Sequence, residues 1–229
     1  WPGNSKVMFC PKGVVGIISP WNYPIQLALK PIVAALSAGN RVMLKPSERT
    51  PNCSALLKEL IDDVLGEDVA HVVLGDVETG VSFSKLPFDH LFFTGSSEVG
   101  RKVMAAAAEN LTPVTLELGG KSPVIAHSSY STRKLAAQVA VGKLWNAGQT
   151  CIAPDHLYVH ESRLNDTIAA LSVELSKKSF PETDTTICND HHWERLLALV
   201  ADAEANGAEV TIAADAPEDW KTNGQRWMP

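Results

Sequence analysis

Residues 13–45 read GVVGIISPWNYPIQLALKPIVAALSAGNRVMLK, and this stretch decides the fold class. Gly13 to Ser19 is a β-branched apolar run bounded by glycine and proline, the pattern of a buried strand. Pro24 stands where the first turn of a helix tolerates proline. Ile25 to Ala38 follows with helical apolar spacing until Gly39-Asn40 ends it. Pro31 falls inside that spacing and predicts a kink. Arg41 to Lys45 then reads as a second short strand.

Working outward, the alternation continues. Thr50-Pro51 reads as N-cap and first residue of a helix running to Leu65-Gly66. Strands are predicted at His71 to Leu74, His90 to Thr94 and Val114 to Leu118, with helices at Glu78 to Ser84 and Glu98 to Asn110. Repeated βα units of this length predict an α/β fold built on an open, mostly parallel Rossmann-like sheet with helices on both faces. Ligands of such sheets sit at the carboxyl ends of strands, so the loops after Ser19, Lys45, Thr94 and Leu118 are the places to look. Beyond Gly119-Gly120 part of a second α/β layer begins. Strands are expected at Pro123 to Ala126 and Leu157 to His160, and helices at Arg133 to Asn146, Arg163 to Lys178 and His192 to Asn206. Gly207 caps the last helix, and Glu209 to Ile212 starts another strand. A domain boundary near Leu118 to Gly120 therefore divides the chain into 1–118 and 119–229.

The 229 residues suffice for one large or two modest domains. Apolar residues make up 45% and charged residues 20%, a globular rather than disordered balance. A formal net charge of -6 without any Lys/Arg run excludes a nucleic-acid partner, which requires a clustered basic face. Cys10, Cys53, Cys151 and Cys188 form no C-x-x-C pair. His191 and His192 follow Cys188, but consecutive side chains do not converge on one ion, so no metal is expected. Unpaired thiols fit a reducing compartment, the cytoplasm. No run approaches the ~20 apolar residues of a membrane span. Trp1-Pro2-Gly3 has neither the basic start of a signal peptide nor an initiator Met, and Arg226 to Pro229 ends as abruptly; both ends read as those of a fragment.

Several loops carry residues with chemical capability. Gly95-Ser96-Ser97-Glu98-Val99-Gly100 links a strand to an alanine-rich helix, where glycines let backbone N–H groups approach an anion at the helix N-terminus. The pattern is neither G-x-G-x-x-G nor a P-loop, because Arg101-Lys102 follows the second glycine; an ordinary glycine-containing turn reads equally well. Lys45-Pro46-Ser47-Glu48 ends the second strand, where an acid and a lysine can bind ribose hydroxyls; a solvated turn is the alternative. Gly148-Gln149-Thr150-Cys151-Ile152-Ala153-Pro154 holds the most suggestive thiol, although a lone cysteine is more often an inert small hydrophobe. Glu117, flanked by Leu116 and Leu118, reads as a buried carboxylate suited to general-base work, or as a salt-bridged structural group. Asn22, in Pro20-Trp21-Asn22-Tyr23-Pro24, could donate its amide to a developing oxyanion, or could simply form the turn.

Taken in order, Pro20 to Pro24, Lys45 to Glu48, Phe93 to Gly100, Glu117 to Pro123 and Gly148 to Pro154 resemble the aldehyde dehydrogenase superfamily. Asn110 to Glu117 and Ala147 to Asp155 look most like its class 3 branch, and within it the coniferyl-aldehyde dehydrogenases. The resemblance implies that Cys151 attacks the aldehyde carbon, that the Asn22 amide and the Cys151 N–H hold the oxyanion, and that Glu117 activates the water that cleaves the resulting thioester. It implies that Gly95 and Ser96 lie by the pyrophosphate of a dinucleotide and that Gly100 allows close helix packing. Lys45 and Glu48 would hold the adenosine ribose, and Ser19, Pro20, Trp21, Leu118 and Gly119 would line the same cofactor site. Glu48 would crowd a 2′-phosphate, which favours NAD while leaving NADP possible. A homodimer of the full-length protein is also implied. The family carries helices before Trp1 and the rest of a catalytic domain after Pro229, and the stretch Ser179 to Asn189 is shorter than its usual loop.

Three rival readings stand beside this one. A CoA-acylating dehydrogenase would lack a base such as Glu117. A non-catalytic nucleotide-binding fragment would bind without turnover. A cysteine hydrolase would need an oriented histidine, and His156, beyond Pro154, points to no such partnership.

Overall fold

The computed structural model describes residues 3–177, 185–212 and 218–227. The chain divides into two compact units, Trp1–Gly119 and Gly120–Pro229.

The first unit is built on β1 (Val14–Ile18), α1 (Gln26–Ser37), β2 (Arg41–Lys45), α2 (Pro51–Leu65), β3 (Ala70–Val72), α3 (Val77–Ser84), β4 (His90–Gly95), α4 (Ser97–Ala108) and β5 (Val114–Leu118). The strands form one parallel sheet in the order β3-β2-β1-β4-β5. This is the parallel α/β architecture expected from the alternation of periods along the chain. Alternate side chains of each strand enter different cores, because successive residues point to opposite faces. Val15, Ile17, Val42, Leu44, Ala70 and Val72 pack with Ala28 and Ile32 of α1 and Leu57 and Ile61 of α2. Leu91 and Phe93, with Val14, Ile18 and Leu116, pack on the opposite face against Phe83 of α3 and Val103 and Ala107 of α4. Each fully buried side chain such as Ile17 or Leu44 contributes roughly 1.5–3 kcal/mol relative to exposure, so the two-sided cover is what holds the central strands.

Helix ends follow local chemistry. Asp76 and Ser96 cap α3 and α4 through side-chain oxygens that accept from Thr79 N and Val99 N. Thr50 departs from its expected role: α2 has Pro51 in its first turn, but the Thr50 side chain makes no cap bond and its hydroxyl is buried without a partner. At Thr50 the backbone bends differently, with Thr50 N donating to Ser47 O and the neighbouring turn closed by Ser54 Oγ on the same carbonyl. Pro31 lies inside α1, which runs on past it to Ser37.

The second unit contains β6 (Ser122–Ile125), α5 (Thr132–Leu144), β7 (Pro154–Tyr158), α6 (Leu164–Ser176) and α7 (Asp190–Ala205). β6 and β7 pair in parallel. The second strand starts three residues earlier than the expected Leu157 to His160. Pro154 is tolerated as the first residue of a strand, and His160 is diverted to cap a short turn by accepting from Ser162 N. The helix expected to reach Asn146 ends at Leu144, because Asn146 and Ala147 take left-handed conformations (φ 53° and 54°) followed by Gly148 at 73°. Residues 209–212, expected to start a strand, form none. Ile187, Trp193 and Trp220 make a small core here, with Ala147, Leu196 and Leu197 packed against it. Trp1, Pro2, Lys178, residues 179–184 of the short Ser179 to Asn189 stretch, and Met228 and Pro229 lie outside the described residues.

No helix among the described residues is long and apolar enough to cross a membrane. Among the same residues no three metal-ligating side chains cluster.

Candidate functional site

In the first unit the strand order reverses between β1 and β4: the chain winds outward through β2 and β3, then crosses back to the other side of β1. The carboxyl edge at such a reversal is where open parallel sheets leave a crevice. Register brings the ends of four strands together there. Ile18 pairs with both Lys45 and Phe93, and Gly95 pairs with Leu118. Ser19, Lys45, Gly95 and Leu118, with Gly119 next in the chain, therefore share one edge.

Lys45 is the unusual group at this edge. Its side chain is only 3% exposed, yet it carries an ammonium, whose Nζ lies 2.9 Å from Glu48 Oε2. Burial works to raise the Glu48 pKa, but the hydrogen bond from Lys45, a backbone bond and the charges of Lys45 and Arg49 outweigh it and hold the carboxyl below its ordinary value. Ser19 is buried beside this edge: its N–H donates to Lys45 O at 3.1 Å, and its hydroxyl has no partner in the protein. A sealed ammonium, a half-open carboxylate and an unsatisfied hydroxyl form a set of donors and acceptors that suits the vicinal hydroxyls of a ribose.

At the neighbouring strand end, Ser96 begins the 12-residue α4 and its Oγ accepts from Val99 N at 3.2 Å. The first N–H groups of a helix have no acceptor within it, which makes such an end a favourable place for phosphate oxygens. A Cβ built on Gly100 would come within 2.9 Å of Leu118 Cδ2, so a glycine at this position permits the close approach of α4 to β5. The residues at this edge thus fit a dinucleotide.

Glu117 corrects an expectation. It is exposed rather than buried, because Val114, Leu116 and Leu118 turn into the core beneath α4 and alternation turns Glu117 to the other face of the outermost strand. Asn22 is partly buried in the bend between β1 and α1, where Pro20 and Pro24 bracket it; Trp21 shares the same bend.

In the second unit, Cys151 is exposed, and none of the four cysteines is disulfide-bonded. It follows the left-handed turn at 146–148, a conformation costing roughly 1–2 kcal/mol for each non-glycine residue, so packing must hold it. The holder is Gln149, a residue that sequence reasoning passed over. Its amide donates to Asn146 O at 3.1 Å and Thr186 O at 3.0 Å, and its oxygen accepts from Cys188 N at 2.9 Å. Partners 37 and 39 positions away leave no local signal in the sequence. Gly120 lies against the same segment: a Cβ there would stand 3.1 Å from the Cys151 carbonyl oxygen. His156 is engaged elsewhere, with Nδ1 at 3.2 Å from Asp155 Oδ2 and its ring edge-on to Tyr158. The site residues are therefore placed in two sets, with Asn22, Glu117 and the strand-edge groups in the first unit and Cys151 in the second.

Comparison with known proteins bears on both sets. Residues 3–229 match the model of the aldehyde dehydrogenase family. The chain is 49% identical over 214 residues to a probable coniferyl aldehyde dehydrogenase of Pseudomonas aeruginosa, covering 91% of this chain and 45% of that protein. Among solved structures, the substrate-bound state of Staphylococcus aureus AldH matches with a TM-score of 0.85 at 40% identity, over 96% of this chain and 47% of the other. A Mycobacterium tuberculosis aldehyde dehydrogenase complexed with NAD+ matches with a TM-score of 0.83 at 34% identity, again over 96% and 47%. The chain thus spans about half the length of the relatives it matches.

Proposed function

From the premise that the chain belongs to the aldehyde dehydrogenase family, we propose that its protein oxidises an aldehyde to the carboxylic acid with NAD, through a thioester on Cys151. The observation that carries this reading is the extent of the family match, which takes in both the Lys45–Glu48 edge and the Cys151 segment. An aromatic aldehyde of the coniferyl type is the proposed substrate class, on the likeness to the Pseudomonas aeruginosa relative.

Each residue has a defined task. Residues 1–118 are the cofactor domain, and 119–229 are the part of the catalytic domain that carries the nucleophile. Lys45 and Glu48 hold the adenosine ribose, with Ser19, Pro20, Trp21, Leu118 and Gly119 lining the site. Gly95 and Ser96 receive the pyrophosphate at the start of α4, where Gly100 keeps the helix close to the sheet. When bound, the nicotinamide supplies the hydride acceptor for the oxidation. Cys151 attacks the carbonyl carbon as a thiolate and forms the carbon–sulfur bond. The Asn22 amide and the Cys151 N–H donate to the oxygen as it gains charge. Glu117 then takes a proton from the water that attacks the thioester, and its exposure gives that water access. The Glu48 carboxylate disfavours a 2′-phosphate by charge, so NAD is preferred to NADP. The same reading places the protein in the cytoplasm, where thiols stay reduced, and makes the full-length protein a homodimer.

The test uses the full-length protein. Cys151→Ala is expected to abolish NADH production while NAD still binds, and Glu117→Gln to accumulate an acyl-enzyme visible by intact mass. A panel of aliphatic and cinnamyl-type aldehydes with NAD and NADP then ranks substrates and cofactors. Full turnover by the Cys151→Ala protein would defeat the mechanism.

A further inference from the structure

We propose that Lys121 and Asp155 are positioning residues that clamp the segment carrying Cys151, an inference that rests on Cys151 being the nucleophile. The pair joins the start of β6 to the start of β7, the strand that follows that segment. Lys121 immediately precedes β6, and Asp155 is the second residue of β7, 34 positions later. Lys121 Nζ and Asp155 Oδ1 are 2.9 Å apart.

The backbone explains how they meet. Ser122 pairs with Pro154, but the next partners are Pro123 and His156, so Asp155 is the extra residue of a bulge in β7. A bulge re-aims the side chain it carries and is over-represented beside active sites. Here the bulged carboxylate takes the Lys121 ammonium on one oxygen and the His156 ring nitrogen on the other, at 2.9 and 3.2 Å. The hydrogen bond from Lys121, followed by that from His156, keeps the Asp155 pKa below its ordinary value, consistent with a carboxylate that stays charged while it holds both.

The clamp closes on the nucleophile's own backbone. Gly120, next to Lys121, packs tightly on this backbone, since a Cβ there would stand 3.1 Å from the Cys151 carbonyl oxygen. Ala153 N–H donates to Thr150 O at 3.1 Å, closing a turn around Cys151. Pro154 is seated against α5 at Gly142, where a Cβ would lie 3.2 Å from its ring. One end of the segment is thereby tied through Gln149 and the other through Asp155, which fixes the direction of the Cys151 N–H and thiol. Because Lys121 is 78% exposed, the pair is worth at most about 1 kcal/mol, which caps its influence on a rate at about fivefold.

The experiment measures alkylation of Cys151 by limiting iodoacetamide, read by peptide mass spectrometry as a ratio to exposed Cys10 in the same sample. Lys121→Met and Asp155→Asn are both expected to slow Cys151, by about twofold to fivefold, since either opens the clamp. Lys121→Arg keeps an ion pair and is expected to behave as the unaltered protein. A bare charge effect would move Lys121→Met and Asp155→Asn in opposite directions. That outcome, or an unchanged ratio in both, overturns the proposal. If Asp155→Asn lowers the melting temperature, the contrast between Lys121→Met and Lys121→Arg decides alone. Failure of the underlying reading is separable: turnover by the Cys151→Ala protein would remove the nucleophile whatever the labelling ratios show.

Discussion

The Lys45 ammonium is sealed from solvent at 3% exposure, while the Glu48 carboxylate that it meets at 2.9 Å is 37% exposed. The asymmetry separates stability from binding. Replacing Lys45 by Met removes the buried cation and leaves only a carboxylate that water already reaches, so no uncompensated buried charge remains. Glu48→Gln instead leaves a buried cation with a neutral partner, costing about 1–3 kcal/mol. Thermal unfolding is therefore expected to show an unchanged or higher Tm for Lys45→Met and a lower one for Glu48→Gln. Calorimetry is expected to show weakened NAD binding in both. A Lys45→Met protein that binds NAD normally would remove the pair from the cofactor site.

Gly16 is set by a neighbouring ring. A Cβ at this central position of β1 would stand 2.5 Å from Phe88 Cε2 and 2.9 Å from Leu91 Cδ1. Phe88 cannot swing away freely, because it is buried and its ring packs 4.9 Å from that of Phe83. Gly16→Ala is expected to destabilise the first unit by about 1–3 kcal/mol. Phe88→Leu in the same protein should recover part of that loss, measured as denaturant midpoints in a double-mutant cycle. Additive losses would show that the ring is not the obstacle.

The first unit was legible because its signals are local. The run at 14–18 is apolar on both faces, and Arg41 to Lys45 sits between a helix end and a proline, so each strand announces itself within a few residues. What was not legible depends on partners. Glu117 looked buried from its leucine neighbours, yet alternation in an outermost strand turns it outward. The start of β7 depends on pairing with β6, which a proline at position 154 obscured. Gln149 and the Lys121–Asp155 pair join positions more than thirty apart, through a bulge and a left-handed turn that no local pattern encodes.

His90 gives the first unit a pH dependence. Its Nε2 is 2.9 Å from Thr115 Oγ1 on the adjacent strand, and its Nδ1 is buried without a partner. Burial, aided by the positive charge of Lys12, holds its pKa below the ordinary histidine value. The unfolded chain therefore takes up the proton first as the pH falls. The contribution is present above the unfolded pKa, about 6.5, and is lost as the pH falls through the lower folded value. His90→Gln can keep a bond to Thr115 without titrating. Between about pH 7.5 and about pH 5.5, the unaltered protein is expected to lose more melting temperature than His90→Gln. Equal losses would assign the pH dependence to other groups.

Arg163 organises the entrance to α5 in the second unit. One guanidinium nitrogen donates to His127 O at 2.9 Å and Ser128 O at 3.1 Å, and the other to Tyr130 O at 2.6 Å and Thr132 Oγ1 at 2.7 Å. The planar fork thus satisfies the turn that leads from β6 into α5, and a lysine, as a single point charge, cannot reproduce that geometry. Each bond is partly open to water, and bonds that act together are not additive, so the set is worth about 2 kcal/mol rather than the sum of its members. Arg163→Lys and Arg163→Met should therefore lose similar stability, with the lysine recovering less than half. Hydrogen exchange should rise at the amides of 127–135 and stay unchanged in the first-unit sheet. Full recovery by lysine would mean that charge alone, and not the fork, holds the turn.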